Sequence, residues 1–225
     1  MNAVLSKLKR LVGISPGKRH SRQQKWQHSW SRPGYAPVWR TGEVPAPLLE
    51  AVAEGWFTAG QSVLDIGCGS GELSAWLAGQ GIRATGIDFA PAAIEQCRQQ
   101  QAAMTAGPRY AVVDICRPPD ATLRYDGLFD RGCFHGIPTD QARDYARSVS
   151  SLVDPGGKFL LLHKTIPEGG DGTLAASRQS VRARIAHYFA SSFSIESVTE
   201  TLMAAEQAAN NGRSIEGLAF RMVRR

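Results

Sequence analysis

The chain has 225 residues and a mass of 24.4 kDa, the size of one ordinary domain with a small arm to spare. Apolar residues make up 43% and charged residues 20%, which supports a packed core and excludes a chain disordered by composition. No apolar run approaches the ~18 residues that a membrane span needs. The net charge of +6 is local. Residues 1–40 hold nine of the 26 basic side chains (Lys7, Lys9, Arg10, Lys18, Arg19, Arg22, Lys25, Arg32 and Arg40) and none of the 20 acidic ones. The rest of the chain is mildly acidic, which speaks against nucleic acid as the partner of the body.

Asn2 to Gly13 sets Val4, Leu5, Leu8, Leu11 and Val12 at helical spacing with basic residues between them. This pattern fits a solvated arm or a lid helix, and equally a peripheral contact with an anionic membrane surface. Ile14 to Pro37 is rich in Ser, Pro, Gly and basic residues. Trp26, Trp30 and Trp39, three of the five tryptophans, fall in or just beyond it. Such aromatics need a surface to cover, either the body or a pocket.

From residue 45 the pattern is regular. Helices are predicted over 45–56, 72–78, 91–104, 140–152 and 180–189. Strands are predicted over 62–66, 83–87, 110–113, 127–129, 158–163, 193–202 and 217–223. Strands alternating with helices mean a doubly wound, mostly parallel α/β sheet with helices on both faces. The last two strands lack a helix between them and read as an antiparallel pair. Residues 1–44 form the arm and 45–225 the domain.

Cys68, Cys97, Cys116 and Cys133 include no C-x-x-C pair. They read as reduced thiols, which fits a cytoplasmic protein, and no metal site is implied.

The chemistry is concentrated in Val63-Leu64-Asp65-Ile66-Gly67-Cys68-Gly69-Ser70-Gly71-Glu72. A strand enters a glycine turn and then opens a helix, so backbone N–H groups face a ligand at close range. The sixth position of the dinucleotide fingerprint G-x-G-x-x-G is Glu72 here. An acid at the helix start repels a pyrophosphate and tolerates a ligand with an amino group. Asp88 ends the second strand, where a carboxylate can accept from both ribose hydroxyls. Asp114 follows the third strand, where it can accept from an adenine amino group. Phe89 and Ile115 can sandwich the ring.

D-I-G-C-G-S-G and G-I-D-F resemble the glycine loop and ribose acid of class I S-adenosylmethionine-dependent methyltransferases. The resemblance covers about residues 45–225. It implies a Rossmann-like seven-stranded sheet with an antiparallel last strand, and S-adenosylmethionine as cofactor with S-adenosylhomocysteine as product. By the same resemblance Gly67, Cys68 and Gly69 lie against the methionine part, with Asp65 near its amino group. Asp88 and Phe89 hold the ribose side, and Asp114 with Ile115 holds adenine.

The fourth strand leads into Asp130-Arg131-Gly132-Cys133-Phe134-His135. Asp130-Arg131-Gly132 looks like the D-R-G of thiopurine and other small-thiol S-methyltransferases. Trp26-x-x-x-Trp30 is similar to their N-terminal W-x-x-x-W, which folds over the active site. The residues from Pro37 to Gly42 are similar to a segment that enters the cofactor site in related enzymes. The resemblance implies transfer to a small-molecule nucleophile, a thiol or related chalcogen. Asp130, which also borders the cofactor, Arg131 and His135 are the implied catalytic residues. Trp26, Trp30 and Trp39 are the implied substrate wall. An O- or N-methyltransferase of a small metabolite, or a methyltransferase-like module tethered to a membrane or RNA, remains open.

Overall fold

The computed structural model describes residues 16–37, 39–40, 42–101, 107–117, 122–166, 173–204 and 214–225. The element expected over 2–13 lies outside them.

The helix α1 (Pro16–Ser31) precedes α2 (Ala46–Ala53). Then follow β1 (Ser62–Ile66), α3 (Glu72–Gly79), β2 (Arg83–Asp88), α4 (Pro91–Gln101) and β3 (Arg109–Val112). The second half runs β4 (Gly127–Arg131), a 3-10 turn (Phe134–Gly136), α5 (Thr139–Ser151), β5 (Lys158–Lys164) and α6 (Leu174–Phe189). It closes with β6 (Phe193–Ala204) and β7 (Ile215–Arg224).

The seven strands form one sheet in the order β3-β2-β1-β4-β5-β7-β6. β7 is antiparallel to both neighbours, and every other pairing is parallel. The antiparallel strand therefore sits inside the sheet, between β5 and β6. Parallel strands are buried on both faces, so β1 and β5 are nearly continuous apolar runs. Side chains alternate between two cores. Leu64, Ile66, Phe159 and Leu161 face Tyr145, Val149, Ile185 and Phe189 of α5 and α6. Val63, Phe129, Leu160 and Leu162 face Leu48 and Ala51 of α2 and Leu77 of α3.

The chain winds outward from β1 through β2 to β3, then returns to place β4 on the other side of β1. Strand order reverses at that point, and the carboxyl ends of β1, β2 and β4 diverge into a crevice. Asp88 and Arg131 are the last residues of β2 and β4, and Gly67 follows the last residue of β1.

Several boundaries differ from the sequence reading. The largest difference is α1, because Pro16–Ser31 is a helix where composition reads as irregular. It has no apolar stripe. Its docked face is polar and aromatic, with Gln23 and Gln27 one turn apart and Trp26 and Trp30 one turn apart. Gln23 donates to Phe89 O at 2.9 Å, and Gln27 Oε1 accepts from Ala92 N at 2.9 Å. Gln96 donates to Trp30 O at 2.8 Å. Tertiary docking supplies what propensity does not. β4 runs two residues past its expected end, because Asp130 and Arg131 stay in register with Leu161 and Leu162 of β5. α6 begins at Leu174 rather than near 180, since the Thr173 hydroxyl caps it by accepting from Ala176 N at 3.1 Å. No helix among the described residues is long and apolar enough to cross a membrane.

Candidate functional site

A cavity of about 350 Å³ occupies the crevice, floored by the strand ends and roofed by α1. Its glycine turn is pinned from below, because Gly67 N and Cys68 N both donate to Ile87 O, at 2.8 and 2.9 Å. Gly67 has φ +72° and Gly69 φ +54°, conformations that L side chains rarely adopt. A Cβ on Gly67 would stand 2.7 Å from Cys133 Cβ. One on Gly69 would stand 2.9 Å from Trp30 Cζ2. The turn is thus gripped between the loop after β4 and the roof helix.

Two carboxylates, Asp88 and Asp114, line the half of the cleft beside this turn, and a third, Asp65, expected near the ligand's amino group, does not line the cavity. Asp88 is nearly buried, and burial raises its pKa. Its Oδ1 accepts from Ala90 N at 2.9 Å and its Oδ2 from Gly69 N at 3.2 Å. Each oxygen keeps one lone pair for a ligand. Asp65 is buried behind the turn and accepts from Ser74 Oγ at 2.6 Å. Burial pushes it to about 6. Asp114 lines the wall, and its Oδ1 accepts from Cys116 N at 3.0 Å. Phe89 and Ile115 also line this half. Cys68 is not part of the wall; its sulfur lies near Gly69 O at 4.0 Å, beneath the turn. Glu72, whose charge the sequence reading turned toward the ligand, is instead paired with Arg40.

Cations gather at the other half. The Arg131 guanidinium lines the cavity, with Nη2 fixed on Met203 O at 2.8 Å and Nε buried without a partner. Lys164, at the end of β5, joins it. His135 faces the same space, and its ring packs on Gly132, where a Cβ would stand 2.6 Å from Cε1. Burial first, then the charges of Lys164 and His163, push His135 down to about 3. It is a neutral imidazole at physiological pH. His163 lies 5.7 Å away, ring centre to ring centre, and its Nδ1 donates to Lys164 O at 2.8 Å. Burial holds the Cys133 thiol well above its ordinary value, so it is a packing group rather than a nucleophile.

Trp26, Trp30 and Trp39 all border the cavity. Trp26 and Trp39 meet edge to face at 5.6 Å, and Trp30 meets Tyr35 at 5.2 Å.

Asp130 departs from the expected placement. It is fully buried and does not line the cavity. Its carboxylate accepts from Cys133 N at 2.6 Å, from Phe134 N at 2.9 Å and from the Tyr145 hydroxyl. It bonds the loop that follows β4 and makes no ion pair with Arg131. The reason is local: three donors, Cys133 N, Phe134 N and the Tyr145 hydroxyl, hold the carboxylate behind the loop, while the Arg131 side chain, on the opposite face of the strand, reaches the cavity wall. Sequence reading missed Arg22 and Met203 as wall residues. Arg22, Trp26 and Trp30 share an i, i+4, i+8 spacing, a signal that becomes visible once 16–31 is known to be a helix.

Residues 63–157 match the family model described as a methyltransferase domain. The 2-heptyl-1-hydroxyquinolin-4(1H)-one methyltransferase of Mycobacteroides abscessus is 26% identical over 157 residues, 68% of each chain. A protein solved in the study of the conversion of a disulfide bond into a thioacetal group during echinomycin biosynthesis superposes with TM-score 0.70. It is 26% identical, over 85% of this chain and 87% of that one. The N-methyltransferase NodS of Bradyrhizobium japonicum, solved with S-adenosylhomocysteine, has the same fold at TM-score 0.65 and 16% identity, over 90% and 97% of the two chains. The fold and these matches support S-adenosylmethionine-dependent methyl transfer, with S-adenosylmethionine as the cofactor. The cleft suits that group. The glycine turn leaves no space for a Cβ at Gly67 or Gly69, and the Asp88 carboxylate, which lines the cavity, keeps lone pairs free for hydroxyl donors.

Two predictions follow from the packing of this site. Gly69→Ala adds a strained φ worth ~1–2 kcal/mol and drives a methyl into the Trp30 ring. Trp30 should lose its burial, read as a red-shifted tryptophan emission, while the far-UV spectrum stays unchanged. Asp130 has its folded pKa raised by burial, from 3.8 to about 7. Its contribution to stability is therefore fully present below 3.8 and lost as pH rises through about 7. Asp130→Asn should flatten the fall in urea midpoint across that window, and should lower stability at the acid end by ~1–3 kcal/mol, since one backbone N–H then faces an amide N–H.

Proposed function

We propose that the chain methylates a small-molecule nucleophile, a thiol or related chalcogen, in the cleft between Arg131 and the tryptophan wall. The observation that carries this reading is the distribution of charge at the acceptor half. Arg131 and Lys164 are cationic, His135 is neutral with too little affinity for a proton to act as a strong base, and the nearest acid, Asp130, is turned away. Such a site holds a nucleophile that arrives as an anion. A thiol, with a pKa of ~8.5 that a neighbouring cation lowers, ionises without a base.

When bound, S-adenosylmethionine supplies a methyl group on a sulfonium, so the leaving group is a neutral thioether. In this reading Asp88 accepts from the ribose hydroxyls, and Asp114 and Ile115 border adenine opposite Phe89. Gly67 and Gly69 give the methionine part close access to the backbone, with Asp65 toward its amino group. Arg131, held on Met203 O, orients the acceptor anion. His135 accepts a hydrogen bond from an acceptor that still carries its proton. Trp26 and Trp39 shut out water and face a sulfonium or a cationic edge with ~0.5–2 kcal/mol of cation–π attraction. The roof helix Pro16–Ser31, within the arm of residues 1–44, serves as the lid, and 45–225 as the transferase body.

The echinomycin-pathway protein supports a sulfur acceptor, since the chemistry named for it is that of a disulfide and a thioacetal. The Mycobacteroides relative favours a second reading, a ring hydroxyl as acceptor. The test is methyl transfer from S-adenosylmethionine to a matched panel of aryl and alkyl thiols, hydroxylated heteroaromatics and amines. Thiols should turn over fastest, with a rate that rises as pH passes each thiol's own pKa. Transfer to amines with thiols inert would contradict the proposal. Transfer confined to acidic hydroxyls would select the second reading.

A further inference from the structure

α1 brings one cation into the cofactor half of the cleft, and the known parts of the site do not use it. Arg22 lines the cavity with its side chain only 14% exposed. Its Cζ lies over the Phe89 ring, 5.0 Å from the centroid. Nη2 stands 3.9 Å from Asp114 Oδ1, long for a hydrogen bond, and is the one contact with a carboxylate recorded for it among the described residues. Nε and Nη1 are buried with no hydrogen-bond partner among the described residues. Unsatisfied buried donors on a cation are costly, and a guanidinium in this state calls for acceptor atoms.

The position is not an accident of a loose side chain. The helix that carries Arg22 is tied on the same face by Gln23 to Phe89 O, by Gln27 to Ala92 N and by Gln96 to Trp30 O. All three ties land on residues 89–96, the stretch that begins directly after Asp88. The arrangement sets Arg22 between Phe89 and Asp114, the residues proposed above to border the adenosine moiety.

We propose that Arg22 is a cofactor-binding residue, its guanidinium donating to acceptor atoms of the adenosine half of S-adenosylmethionine and so tying the roof helix to the bound nucleoside. This inference rests on the cofactor placement proposed above. It separates two functions that the cleft would otherwise share: Arg131 serves the acceptor, and Arg22 serves the nucleoside. Because the contact is to the nucleoside, it contributes equally for any ligand that contains adenosine, whether or not a sulfonium is present.

The test is calorimetric binding of S-adenosylhomocysteine and of adenosine to the full chain and to Arg22→Met, which keeps the aliphatic stem against Phe89 and removes the donors. Both ligands should lose affinity by the same factor, about tenfold or more, the range for a charge-assisted hydrogen bond. Gln27→Ala serves as the comparison, since it weakens helix docking without touching the cleft, and its loss should be smaller for both ligands. Should Arg22→Met fold poorly, Arg22→Lys keeps the charge without the planar fork and should fall between the two. Wild-type affinity in Arg22→Met, or a loss no larger than that of Gln27→Ala, would overturn the assignment and leave the cofactor site standing. Absence of binding by the unaltered protein would overturn the cofactor placement itself.

Discussion

The site depends on one steric constraint: the glycine turn after β1 has neighbours on both sides where a side chain would be. Cys133, from the loop after β4, occupies the space beside Gly67, and the Trp30 ring occupies the space beside Gly69. Protein interiors transmit such contacts because they have almost no free volume. Any movement of the turn therefore moves both the acceptor loop and the roof helix. The turn itself is tied to the end of β2 through Ile87 O and through Asp88, whose carboxylate accepts from Gly69 N. Four separate segments thus meet at a few backbone atoms, and the binding of a ligand there would be felt in all of them.

Electrostatics divides the cleft into two halves that suit the two partners of a methyl transfer. Asp88 and Asp114 line the half beside the turn and Asp65 is buried behind it, with burial raising Asp65 and Asp88. Arg131 and Lys164 stand at the other half with two neutral imidazoles nearby. Asp130 belongs to neither half in function. Three donors fix its carboxylate inside the loop, and Phe134, at that loop's centre, packs against Tyr145, Phe189 and Tyr188. Its work is to hold the backbone that carries Cys133 and His135 in place.

Much of this was legible in the sequence, and the exceptions have physical causes. The sheet, its antiparallel strand and the carboxylates beside the turn follow from apolar runs, glycine punctuation and acids at strand ends, all local signals. Asp130 was misplaced because a motif gives proximity in sequence but not the partners that capture a side chain, here two backbone N–H groups of the following loop and the Tyr145 hydroxyl. Tyr145 lies fifteen residues further along the chain, so nothing next to the motif announces that contact. α1 was illegible because its stability is tertiary. Its partners are Phe89 O, Ala92 N and the side chain of Gln96, sixty or more residues away, and no periodicity of apolar residues announces it. Arg22 was hidden for the same reason, since its role is visible only after the helix that carries it.

The central claim is that the roof helix and the glycine turn form one cofactor site rather than a lid resting on a finished pocket. Hydrogen–deuterium exchange with and without S-adenosylhomocysteine tests it directly. The account predicts that protection rises together over residues 16–31 and 63–71, at the same ligand concentration. Protection confined to 63–71, with exchange in 16–31 unchanged, would contradict it.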